Sequence, residues 1–297
     1  MRRKSFGRAA PWLLLALPLM LLLIFIVLPY AMTFYYSTTA ATFGRLTDSP
    51  QVGLGNFKTI LSSGAPSFPG VLLVTTIFTG GTLVGSLGLG TALALSLHTL
   101  SPSGRSILLA IYLIPWVIAA VVIGYTWRLM YDPQIGLANT LLDFVGIEPI
   151  SWLTNRATAI AALVVANIWA SYGIVLLIMS GALANVPPNL ILSGQVDGAS
   201  YARIVGRIIL PSIRPAFLLA GLVATVSGLN VFDLIYVTTG GGPVYQTETL
   251  ALEMFRITTR RSNIGEGAAV TVILFSLSLL LAIAYVIIWR REQRKWT

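Results

Sequence analysis

Val196-Asp197-Gly198-Ala199-Ser200-Tyr201-Ala202-Arg203-Ile204-Val205-Gly206-Arg207-Ile208-Ile209-Leu210-Pro211 is a polar interruption between two long apolar stretches, and its reading decides the fold. Asp197-Gly198 supplies a turn with a glycine free to take positive φ, and Ser200 stands where its hydroxyl would cap a following helix. From Tyr201 the apolar Ile204, Ile208 and Ile209 recur at helical spacing, Arg203 and Arg207 share another face, and Pro211 stops the run. The pattern predicts a short helix exposed at a membrane surface and shaped to dock against something soluble. The same spacing also suits an ordinary amphipathic connector.

Outward from this loop the chain is apolar. Of 297 residues, 56% are hydrophobic and 10% charged, and the mean hydropathy is +0.84. That leaves too few polar side chains to coat a globule, so the expected class is an all-α membrane protein. About 20 apolar residues cross the hydrocarbon core, and six stretches qualify: 11–33, 71–97, 107–131, 157–183, 216–237 and 268–289. The first follows Arg2, Arg3, Lys4 and Arg8. Its apolar run from Trp12 to Leu28 is longer than a signal core and no Ala-x-Ala site follows, so it reads as a retained span.

Charge sets the orientation. With the amino terminus in the cytoplasm, 12 of the 19 lysines and arginines fall inside: Arg2, Arg3, Lys4, Arg8, Arg105, Arg203, Arg207, Arg214, Arg290, Arg291, Arg294 and Lys295. Only Asp197 and Glu292 oppose them there, which fits an even number of spans with both ends inside. The expected organisation is a cytoplasmic 1–10, a first transmembrane helix 11–35, an extracytoplasmic segment 36–70, a five-helix core 71–289 containing the loop 184–215, and a cytoplasmic 290–297. The net charge of +9 is scattered among loops beside lipid, so anionic headgroups explain it and nucleic acid does not.

Several chemistries are excluded. There is no cysteine, hence no disulfide or thiolate metal site. His98 stands alone and reads as an interface residue, so neither a histidine metal cluster nor a Ser-His-acid triad is available. No Gly-x-x-x-x-Gly-Lys-Ser/Thr occurs around Lys4, Lys58 or Lys295, so the chain has no P-loop for ATP. No metal or catalytic residue is expected on this polypeptide.

Polar residues inside the spans mark where a solute is felt, because lipid disfavours them. Asn167, Ser171 and Tyr172 lie in the fourth stretch; Ser227, Asn230, Asp233 and Tyr236 lie in the fifth. Ser227, Asn230 and Asp233 are spaced i, i+3, i+6, close to one helix stripe. Polar side chains beside aromatic rings suit a sugar, although the same residues also serve to join helices by hydrogen bonds. Thr75, Thr76, Thr79, Gly80, Gly81, Thr82, Gly85, Ser86, Gly88 and Gly90 make the second stretch a packing helix. Pro115 predicts a kink in the third, and the piece from Leu137 to Val145 is expected to lie along the outer interface.

Asp197, Gly198, Ala199, Ile208, Leu210 and Pro211, with Pro187 and Pro188 upstream, resemble the cytoplasmic loop of permease subunits in binding-protein-dependent ABC importers. The Glu-Ala-Ala that names that loop is replaced here by Leu192, Ser193 and Gly194. Asn230-Val231-Phe232-Asp233 through Gly240-Gly241-Gly242-Pro243, then Thr247-Glu248-Thr249-Leu250, resembles the carbohydrate branch, the relatives of the larger maltose permease subunit. Val52-Gly53-Leu54-Gly55-Asn56-Phe57 extends the resemblance over nearly the whole chain. It implies a type I importer permease fold with a cytoplasmic coupling helix in a bacterial inner membrane. Substrate would arrive from an extracytoplasmic binding protein and pass between this chain and a second, homologous permease. Two separate ATPase subunits would hold ATP and Mg. Asp197, Gly198, Ala199, Ser200, Tyr201, Arg203, Arg207 and Pro211 would couple to the ATPase; Asn230 above all, with Ser227, Asp233, Tyr236, Asn167 and Tyr172, would line the path. Importers of amino acids, peptides or phosphate, and a self-sufficient secondary transporter, are the alternatives.

Overall fold

The computed structural model describes residues 10–293, with side chains from 15 to 291. Arg2, Arg3, Lys4, Arg8, Arg294 and Lys295 therefore lie outside the described residues. Helix α1 comprises Ala10–Leu22, a π-helical turn Leu23–Val27 and Leu28–Ser37. Then follow α2 (Gly55–Leu61), α3 (Phe68–His98), α4 (Pro102–Tyr112), α5 (Ile114–Val117), α6 (Ala120–Met130), α7 (Leu137–Phe144) and α8 (Arg156–Ala184). After them come α9 (Pro188–Val196), α10 (Tyr201–Ile204, Val205–Ile209 as a π-turn, Leu210–Ser212), α11 (Arg214–Leu229), α12 (Asp233–Thr238), α13 (Leu250–Arg260) and α14 (Ile264–Gln293). Among the described residues four helices are long and apolar enough to cross a membrane, and a fifth span is added if α10 and α11, bent by 71°, count as one.

Two of the six expected spans are not continuous helices. The stretch 107–131 is broken twice. Pro115 removes one backbone donor near the first break, and at the second Ile118 and Ala119 are extended (ψ 137° and 133°) before α6 begins. The stretch 216–237 stops at Leu229, where Asn230 leaves helical geometry (ψ 3°), and restarts at Asp233 after Phe232 (φ −126°). Pro211 also does not stop its helix: it sits inside the last turn of α10, directly after the π-turn, and the chain turns at Ile213.

The chain divides into two compact units, one of residues up to Ser63 with Glu253–Ile273, the other of Gly64–Leu252 with the chain from Leu274 on. In the first, buried Asn56 donates to the carbonyls of Ser37 and Thr39, both at 2.8 Å, and so ties α2 to the end of α1. Gly53 precedes it at φ +56°, and a Cβ on Gly265 would collide with the Thr39 carbonyl. The Gly-x-Gly-Asn pattern is thus a staple for an ordered segment.

In the second unit α3 and α8 pack along their lengths. An added Cβ at Gly90 would stand 2.8 Å from Val175, and one at Gly81 3.0 Å from Val164, while Gly85 meets the Ile168 side chain. Small residues permit this approach between apolar helices. Ala94, Leu97, Tyr172, Val175, Leu176, Met179, Leu183, Ile204, Ile209, Ile213 and Ala220 form the buried core at one end of these helices. Beyond α6, Asn139 knits the segment that carries α7. Its Oδ1 accepts from Ile150 N (3.1 Å) and Trp152 Nε1 (2.9 Å), and its amide donates to the Pro133 and Ile150 carbonyls. Trp152 packs on Tyr131, Tyr131 on Trp127, and Trp127 edge-on to Trp169 of α8.

Candidate functional site

Because the fifth stretch unwinds between Leu229 and Asp233, its backbone turns aside and leaves a recess of 190 Å³ against α6 and α8. Asn167, Ser227, Asn230 and Asp233 all line it, together with Ala120, Ile123, Ala170, Val231, Phe232 and Leu234. The structure thus unites four of the six expected path residues, through a helix break and not through the single helix stripe that their spacing predicts. Ser227 belongs to α11, Asn230 to the break and Asp233 to the first turn of α12.

Each polar group has a defined setting. Asn167 is buried and its amide donates to Thr82 Oγ1 on α3 at 3.3 Å. Asn230 is exposed; one N–H of its amide goes to the Val226 carbonyl at 2.7 Å, which uses one of its two donors. Ser227 and Asp233 are exposed. The walls are fixed from behind. Gly228 lets α11 approach Thr79 of α3, where an added Cβ would meet the Thr79 methyl at 3.3 Å. Gly124 seats Val237, and Thr238 Oγ1 donates to the Gly124 carbonyl at 3.4 Å. Ile123, Ala166 and Leu234 are buried together with Trp127 and Trp169 packed around them. The aromatic run from Trp152 therefore ends beside the recess.

Two expected residues are elsewhere. Tyr172 is 6% exposed and lies among Ala94, Leu97 and Val175 in the core; its position one turn from Asn167 is filled by helix packing. Tyr236 stacks on Phe232 with centroids 5.5 Å apart, outside the recess lining. Phe232, Ala120 and Ile123 line the recess without being among the expected path residues. Phe232 carries a signal in retrospect, an aromatic immediately before the only acid of that stretch.

The loop 184–215 presents the expected turn. Gly198 has φ +71°, and Asp197, Gly198, Ser200, Tyr201, Arg203 and Arg207 are exposed, with Ala199 and Pro211 half-buried. Ile204 and Ile209 face the core. Ser200 is the residue before α10, but its side chain makes no capping hydrogen bond. Gly194, at the last of the three replaced Glu-Ala-Ala positions, lets Ile208 approach: an added Cβ would lie 2.9 Å from the Ile208 terminal methyl. Among the described residues no group of three or more His, Cys, Asp or Glu is placed to hold a metal ion.

The chain belongs to the permease family of carbohydrate ABC transporters, membrane-spanning transport subunits rather than enzymes. It is 34% identical over 279 residues to the trehalose/maltose transport system permease protein MalF of Thermococcus litoralis, covering 93% of this chain and 92% of that one. It is 30% identical over 280 residues to the sulfoquinovosyl glycerol transport system permease protein SmoG of Agrobacterium fabrum, 94% of this chain and 90% of the relative. Among solved structures, a chain of the bacterial alginate ABC transporter in complex with alginate pentasaccharide-bound periplasmic protein has the same fold. Its TM-score is 0.81 at 22% identity, over 97% of this chain and 96% of that one. No protein-family model matches the chain.

Proposed function

We propose that this permease forms half of the path by which an ATP-driven importer takes up a carbohydrate, and that the recess of Asn167, Ser227, Asn230 and Asp233 is where the solute is felt. The observation that carries the reading is the convergence of these four side chains at one helix break. An unwound segment within a membrane helix is tolerated where it lines a cavity, and an amide, a hydroxyl and a carboxylate offer donors and acceptors to sugar hydroxyls. Relatives named for trehalose, maltose and sulfoquinovosyl glycerol support a carbohydrate over an amino acid, a peptide or phosphate. The periplasmic protein in the alginate complex supports delivery by an extracytoplasmic binding protein.

The assembly we infer has six spans in the cytoplasmic membrane with both termini inside. The broken stretches around α4–α6 and α11–α12 act as the third and fifth. The domain layout is the one expected above, 1–10, 11–35, 36–70, 71–289 and 290–297. A second, homologous permease completes the path, and two ATPase subunits hold ATP and Mg. The exposed turn at Gly198 and the faces of Tyr201, Arg203 and Arg207 would seat against an ATPase subunit, and the 71° bend into α11 would carry a displacement there to Ser227 and Asn230. The test is uptake by the reconstituted transporter. Asn230→Ala and Ser227→Ala remove groups worth roughly 1 kcal/mol each, so each should weaken uptake about fivefold while the complex still assembles. Wild-type uptake of every carbohydrate by both variants would show the recess to be packing.

A further inference from the structure

The ends of two helices leave an apolar trough that the transport path does not use. Leu218, Leu219 and Leu222 on the first turns of α11 and Tyr285, Val286 and Trp289 on the last turns of α14 enclose 420 Å³. Gly221 shapes its floor: an added Cβ would lie 3.2 Å from the Tyr285 ring, so the ring rests close against α11. The one polar group of that ring is taken up, because its hydroxyl lies 3.1 Å from Thr225 Oγ1. A trough so lined offers nothing to a sugar, a nucleotide or a peptide backbone, each of which would lose hydrogen bonds on entering it.

Its rim is different. Arg214 immediately precedes Pro215 in the chain, and Arg290 and Arg291, both exposed, immediately follow Trp289, with Arg290 one helical turn beyond Val286 of the lining. Trp289 is 41% exposed, the setting of an indole at a membrane-water border. Apolar below and basic above is the profile of an amphiphile with a negative head. We propose that this trough is a binding site for one anionic phospholipid, with an acyl chain along Leu219 and Leu222 and the headgroup phosphate on the guanidinium groups of Arg290 and Arg291. Arginine suits phosphate by its planar fork of donors, and a second protein subunit set into the same trough would have to bury or neutralise that basic rim. The assignment is independent of the transport reading.

The test is native mass spectrometry of the transporter released from mixed micelles of phosphatidylglycerol and phosphatidylcholine. One phosphatidylglycerol should be retained in preference to phosphatidylcholine. The preference should fall about fivefold for each arginine lost in Arg290→Gln/Arg291→Gln, and persist in Arg290→Lys/Arg291→Lys, which keeps the charge. Leu222→Trp, which fills the trough, should abolish retention in protein that remains monodisperse. Equal retention of the two lipids, or retention unchanged in the Gln variant or in Leu222→Trp, would overturn the site. So would a crosslink from Leu222→Cys, unique in a chain without cysteine, to a neighbouring subunit.

Discussion

Replacing Gly198 tests how the exposed loop works, because the structure separates its possible costs. The residue sits at φ +71°, and a Cβ built on it meets nothing within 4 Å. Steric crowding inside this chain therefore contributes nothing, and Gly198→Ala carries only the left-handed backbone penalty of about 1–2 kcal/mol. Relief by rotating φ is blocked by the bonds that close α9: Gly198 N donates to the Gln195 carbonyl and Ala199 N to the Gly194 carbonyl, both at 3.0 Å. Each is worth about 1 kcal/mol, so escaping the strain gains no more than it loses. Gly206 on the same loop provides a control. It is also open within 4 Å but has no positive φ, so Gly206→Ala should be neutral or stabilising by about 0.5–1 kcal/mol. Gly198→Asp adds a charge beside exposed Asp197 on the face assigned to the ATPase. The assay is co-purification of the ATPase subunits with substrate-stimulated hydrolysis in proteoliposomes. Membrane insertion should survive in all three variants, coupling should weaken in Gly198→Ala and be lost in Gly198→Asp, and Gly206→Ala should couple normally. Unchanged binding and unchanged stimulation in Gly198→Asp would refute the assignment.

Asn139→Ala should cost about 3 kcal/mol, since it removes four hydrogen bonds and leaves the half-buried Trp152 indole N–H without its acceptor; thermal unfolding and proteolysis within 132–155 report it, and an unchanged midpoint would contradict the hub. Asp132 is held below the usual carboxylate range by the backbone N–H groups of Ile135 and Gln134. A depressed pKa means that the turn is supported above the unfolded value near 4 and loses that support as pH falls through the lower, folded value. Protection of the Gln134 and Ile135 amides relative to their intrinsic exchange rate should therefore fall on acidification below about pH 4, and Asp132→Asn should flatten that dependence.

What the sequence made legible follows from which interactions are local. The Asp197-Gly198 turn depends on one residue's φ, and it is where composition places it. Of the glycines that mark α3 as a packing helix, Gly81, Gly85 and Gly90 meet α8, while Gly80 and Gly88 have open space around them. The recess was found for an incomplete reason: polarity marked Ser227, Asn230 and Asp233, but helical spacing assumed an unbroken helix. No proline stands between Leu229 and Asp233 to announce the break, which is set by packing of Leu234 and Val231 against Ile123 and Ala166. The extended pair Ile118-Ala119 is equally silent, since neither residue is a helix breaker, and Ile118 packs against the cluster of Ile123, Ala166 and Leu234. Tyr172 shows the converse. Polarity alone marks a hydroxyl in an apolar span, whereas its ring packs in the core. Asn139 went unnoticed because its three partner residues lie up to 13 residues away along an irregular segment.

The central claim, that the recess at the α11–α12 break is wetted and filled by the transported carbohydrate, can be measured with thiols, since the chain has no cysteine of its own. Ser227→Cys and Tyr172→Cys would each be treated with a charged thiol reagent in the reconstituted transporter, with and without turnover on carbohydrate, binding protein and ATP. The account predicts that position 227 reacts and is protected during turnover on carbohydrate, while position 172 is inert throughout. An unreactive position 227, or labelling there that carbohydrate leaves unchanged, would contradict it.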